Sequence, residues 1–208
     1  MNIKAFKFFC ILIIASVLSC KDNVGPMPEM WSLLNAERIF RQEDFDLNGI
    51  NDYWTYDVSF LFRILNPENE EIALIEIQTA NADAKPARSD EFGNELKISA
   101  ERKNVDRKFI YQAMLFDESG VAYNQNPVGV NRVRAANSCK FAFVAYPCKY
   151  GEFAKRTYIA NETGKVYYTD CGSDTRKIVL QWPGPDPTRV KGPGGEYWRQ
   201  VGTEIKMR

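Results

Sequence analysis

"KRTYIANETGKVYYTD", residues 155–170, decides the fold. Its two runs, 155–160 and 165–170, are rich in aromatic and β-branched residues, and "NETG" (161–164) separates them. Gly164 can take the positive φ that a tight turn requires, so the stretch predicts an antiparallel hairpin. Just upstream, "KFAFVAYP" (140–147) is apolar at odd and even positions alike, the pattern of a central strand covered on both faces. "KFIYQAMLF" (108–116) has the composition of another buried strand. The intervening "DESGVAYNQNPVGVNRVRAANS" (117–138) reads as a long excursion over an edge or a face. Beyond Cys171 the chain turns Pro/Gly-rich, and Trp182, Tyr197 and Trp198 are expected to pin this tail to the body.

Ahead of the strands, "PEMWSLLNAERIFRQE" (28–43) predicts a helix. Met30, Leu33, Ala36 and Phe40 recur at helical spacing on one face, and Trp31 and Leu34 widen the stripe. Residues 57–65 fit two patterns. Asp57 would cap a short helix with Val58, Leu61, Phe62 and Leu65 inward, while Val58, Phe60, Phe62 and Ile64 alternate as a strand does. Residues 71–79 are ambiguous in the same way, and "NADAKPARSDEFGNE" (81–95) is loop-like. A helix followed by an antiparallel meander is an α+β arrangement, with one domain over residues 28–208.

The first residues predict export. Lys4 and Lys7 precede an apolar run from Phe8 to Leu18, of signal-peptide length and shorter than the ~20 residues a spanning helix needs. The run ends in Val17-Leu18-Ser19-Cys20, which resembles a bacterial lipobox. The expectation is a signal peptide over residues 1–19, a lipid-modified Cys20, and a polar tether over residues 20–27. Lys21 after the cysteine favours the outer membrane of a bacterial envelope. Without residues 1–19 the chain carries 25 Lys and Arg against 27 Asp and Glu, a balance that gives nucleic acid no purchase. Three cysteines then remain in an oxidising compartment. In a three-strand meander Cys148 and Cys171 leave at one end and Cys139 enters at the other, which favours a Cys148–Cys171 disulfide. There is no histidine, so a zinc site is not expected.

Two segments carry a family resemblance: "LNAERIFRQEDFDLNGINDYWTYDV" (34–58) and "FAFVAYPCKYGEFAKRTYIANETGKVYYTDCG" (141–172). Together they resemble a family of uncharacterised exported bacterial proteins, similar to the globular part of type IV pilins and type II secretion pseudopilins. The resemblance implies a long N-terminal helix packed on an antiparallel sheet, and no established activity. The chain departs from pilins in lacking the glycine-phenylalanine processing site and the glutamate that pilin assembly uses, and the resemblance carries the fold.

"DFDLNGINDYW" (44–54) admits a calcium loop. Counting from Asp44, side-chain oxygens come from Asp44, Asp46 and Asn48 at positions 1, 3 and 5, and the carbonyl of Ile50 serves at position 7. Gly49 at position 6 permits the bend, and Asp52 serves at position 9. Position 12 is Thr55 where a bidentate Glu belongs, so Ca²⁺ would bind weakly unless Asp57, Glu43 or water substitutes. The competing reading has Asp44 ending the helix, Asn48-Gly49 forming a turn and Asp52 capping the next element. Tyr146, Tyr150, Tyr158, Tyr167 and Tyr168 would serve a glycan only if the sheet leaves them exposed. The sequon at Asn161 falls in a hairpin turn, and Asp117-Glu118 carries no pocket signal. No nucleophile elbow, P-loop or dinucleotide fingerprint occurs, so the sequence points to a non-enzymatic, membrane-anchored lipoprotein. It would bind an envelope protein or, alternatively, a glycan.

Overall fold

A computed structural model describes residues 25–44, 49–62, 64–65, 71–85, 108–125, 136–174 and 179–202. The chain is α+β, built on a five-stranded antiparallel sheet. The long helix α1 (Met27–Glu43) carries Pro28 in its first turn, where a missing N–H breaks no helical bond. Asp44 ends it in the left-handed conformation, φ 46°. Met30, Leu33, Ala36 and Phe40 are fully buried, as the helical spacing predicts.

After α1 the chain runs back along the helix through β1 (Tyr53–Trp54). Residues 57–65 then use both candidate patterns in turn: a 3₁₀ turn (Ser59–Phe62) followed by β2 (Ile64–Leu65). Asp57 decides the switch, because its Oδ1 accepts from the Ser59 hydroxyl and the Phe60 N–H, each within 2.8 Å. That cap satisfies donors that a strand would have to pair elsewhere. Residues 71–79 divide likewise into β3 (Glu71–Ile72), paired with β2, and the start of the short helix α2 (Ile77–Asn81). Most of the predicted loop, residues 86–95, lies outside the described residues.

The main sheet comprises β4 (Phe109–Ala113), β6 (Ala142–Pro147), β7 (Arg156–Asn161), β8 (Val166–Asp170) and β9 (Arg199–Gln200), in that spatial order. The predicted hairpin forms with Tyr158 opposite Tyr168, and β6 lies between β4 and β7 as a central strand. Alternate residues feed two separate cores. Tyr111, Phe143, Ala145, Tyr158 and Ala160 pack with α1 and the Trp54–Phe60 stack. Ile110, Val144, Tyr146, Ile159 and Tyr167 pack on the other face against Val179, Trp182 and Trp198. Each fully buried Leu- or Phe-sized side chain contributes roughly 1.5–3 kcal/mol, which makes the sheet the stabilising centre.

Three expectations need amendment. The strand expected over 108–116 ends at Ala113, because Leu115 and Phe116 turn away to bond Leu180. The excursion contains β5 (Ala136–Asn137), which pairs with β1, while its residues 126–135 lie outside the described residues. In the tail, Trp182 and Trp198 are buried as expected, but Tyr197 is 53% exposed and pairs with Lys191 of the same tail.

Candidate functional site

The loop that follows α1 stands at the opposite end of the sheet from the helix start. Arg41 lies over the Tyr53 ring, and that ring rests 4.6 Å from Phe141, the residue before β6. Arg41 also donates from Nε to the Asn51 carbonyl at 3.3 Å. These contacts turn the returning chain alongside the helix. Within the loop, Asp44 Oδ2 accepts the Gly49 N–H at 3.0 Å, and Gly49 holds φ +78°. The second carboxylate oxygen, Asp44 Oδ1, is buried without a hydrogen-bond partner among the described residues. Asp52 is buried and Ile50 half-buried, while Asp46 and Asn48 lie outside the described residues. Among the described residues no three His, Cys, Asp or Glu side chains gather around one point, and the loop set depends on the two that are not described. Asp44, Ile50 and Asp52 present hard oxygens of the kind Ca²⁺ takes, and the available Asp44 Oδ1 fits that role. Thr55, at position 12, is buried, and Asp57 spends Oδ1 on the 3₁₀ cap.

Two acids here escaped the sequence reading. Glu37 sits on the apolar face of α1 and is 0% exposed. Its Oε2 accepts the Trp54 N–H at 2.9 Å, while Oε1 has no hydrogen-bond partner among the described residues. Burial pushes its carboxyl well above the usual range; the Trp54 bond offsets part of this, and the charge of Asp52 adds to it. Asp83, also buried, accepts the Val58 and Ser59 N–H groups at 2.8 Å each through Oδ2, and the Lys85 N–H through Oδ1. Both acids satisfy backbone donors distant in sequence, so no local spacing announces them.

Among the described residues Cys139 and Cys148 are exposed, Cys171 is buried and no two of them are bridged, and burial pushes the Cys171 thiol up to about 11. Extending the register past the strand ends sets Cys148 and Cys171 on either side of Lys155, at one end of the sheet. Two strand spacings, ~9.6 Å, exceed the ~7 Å that a disulfide tolerates, so a bridge needs the two chain ends to converge by ~2–3 Å. The tyrosines divide unevenly: Tyr146, Tyr158 and Tyr167 are buried, Tyr168 is half-buried under the Arg156 guanidinium, and Tyr150 is exposed. Asn161 is buried, with Oδ1 accepting from the Thr163 hydroxyl at 2.6 Å, which explains the sequon as turn chemistry. Asp117 and Glu118 both bind Lys140 Nζ, at 2.9 and 2.8 Å, and Lys140 holds the Asp117 carboxyl below its usual range.

Over residues 126–190 the chain is similar to a family described as a protein of unknown function (DUF2950). That stretch takes in β5 to β8 and the 3₁₀ turn Pro187–Arg189, and leaves out α1 and the loop after it. No curated protein and no solved structure matches the chain.

Proposed function

We propose that the chain is an envelope lipoprotein, held to a membrane by acyl chains on Cys20, whose pilin-like domain is a non-enzymatic interaction or assembly module. The observation that carries this is the covering of both sheet faces, by α1 on one side and by Trp182 and Trp198 on the other. A filled sheet presents its rim and loops to a partner. Burial of Tyr146, Tyr158 and Tyr167 supports an envelope-protein partner over a glycan stacked on the sheet. A weak structural Ca²⁺ in the loop from Asp44 to Asp52 would hold α1 to its successor. No helix among the described residues is long and apolar enough to cross a membrane. Cys20→Ser tests it: the variant should leave the membrane fraction for the soluble one, and undiminished retention would refute the proposal.

A further inference from the structure

One end of the domain combines exposed aromatics with cations, and α1 starts near it. An ideal Cβ on Gly25 would lie 2.9 Å from the Tyr158 hydroxyl oxygen, and Glu29 bonds the Tyr111 hydroxyl. Tyr111 and Tyr158 both lie opposite Ala145, so the helix begins over this row and runs toward Phe141 at the far end. Tyr158 is three residues from Lys155, at the end of the sheet where the 148–155 loop joins β6 to β7. Tyr150 and Phe153 on that loop are 36% and 38% exposed. The tail reaches this end through Glu196, whose carbonyl accepts the Thr169 hydroxyl at 3.3 Å, and the next residue, Tyr197, is 53% exposed with Lys191 over its ring. Lys149, Lys155 and Arg156 are exposed around these rings. Acids share this end: Glu152 pairs with Lys149 at 3.1 Å, Asp170 accepts the Tyr150 hydroxyl at 2.9 Å, and Glu196 is exposed.

From this juxtaposition we infer that the end of the sheet carrying Tyr150, Phe153 and Tyr197 lies on the interface of a phospholipid bilayer, the bilayer that holds the acyl chains of Cys20. The inference rests on the lipid-anchor proposal and adds an orientation to it. Five residue steps from Cys20 to Gly25 span at most ~18 Å, so the helix start cannot stand far from the headgroups. Aromatic rings with a polar atom, flanked by Lys and Arg, suit the headgroup level, where apolar bodies bury and cations meet lipid phosphate. The loop from Asp44 then faces away from the membrane, toward any protein partner.

The test uses the full chain purified from membranes and reconstituted in vesicles of phosphatidylglycerol and phosphatidylethanolamine carrying a headgroup-depth spin label. In a Cys139→Ser, Cys148→Ser, Cys171→Ser background, a fluorophore is placed at Glu152→Cys and, separately, at Lys165→Cys on the far turn. Flotation with the vesicles and quenching at position 152 but not at 165 is the expected result. Adding Phe153→Ser and Lys155→Glu should abolish that quenching while flotation persists. Flotation with no quenching at 152, or equal quenching at both positions, overturns the orientation and leaves the anchor standing. Failure to float overturns both.

Discussion

Glu37 offers the sharpest test of how α1 and the returning chain are joined. Its carboxyl is fully buried, spends one oxygen on the Trp54 N–H, and has burial and Asp52 acting together to resist ionisation. Glu37→Gln keeps an acceptor for Trp54 and cannot ionise. Glu37→Ala strands the Trp54 N–H, at ~1–3 kcal/mol, and removes about one buried methylene, at ~0.8 kcal/mol, for a loss of ~2–4 kcal/mol. The pH dependence has a definite sign. A carboxyl raised in the folded state binds its proton more tightly there, so its contribution is fully present below the unfolded value and is lost as pH rises toward the folded one. The difference in stability between Glu37→Gln and the wild type should therefore widen upward from about pH 4.5, by at most ~1.4 kcal/mol per pH unit. Urea unfolding of the three proteins between about pH 4.5 and 8 measures this. A Gln variant as unstable as the Ala variant, or a difference that shrinks as pH rises, would refute the reasoning.

Other perturbations reach other parts of the structure. Millimolar Ca²⁺ should stabilise the protein by RT ln(1 + [L]/Kd), ~1.4 kcal/mol at tenfold excess over Kd, and Asp44→Asn should abolish the gain; calorimetry with no shift in the wild type rejects the site. Trp198→Ala empties the core on the face away from α1 and should cost ~3–5 kcal/mol by urea melt, whereas a loss below ~1 kcal/mol would detach the tail from the fold. Asp57→Ala removes the 3₁₀ cap and should cost ~0.5–2 kcal/mol; a neutral result would show that Asp83 alone holds the turn. Non-reducing peptide mapping of exported protein should find Cys148 linked to Cys171 with Cys139 free, and a link to Cys139 would overturn the proposed pairing.

Much of the fold was legible because local pattern and tertiary role coincide. The apolar stripe of α1 is its buried face, and the aromatic and β-branched residues of 155–170 fill two cores. Where pattern failed, the determining contact was distant. Residues 57–65 obey Asp57 locally but also Asp83, across an intervening strand and helix. β9 is the polar pair Arg199–Gln200, which has no strand periodicity and exists because β8 offers an open edge. Nothing in local spacing marks Glu37 for burial, and the partner that accounts for it, the Trp54 N–H, lies 17 residues away. Within the candidate loop, the left-handed Asp44 and the bend at Gly49 followed from residue types that favour those conformations.

Attachment through Cys20 is the claim on which the proposed function rests, and mass spectrometry of the protein's N-terminal peptide from a native membrane preparation tests it most directly. The expected peptide begins at Cys20 with a thioether-linked diacylglycerol on the sulfur. A peptide that runs through residues 19 and 20 without lipid, or one cut elsewhere, would contradict it.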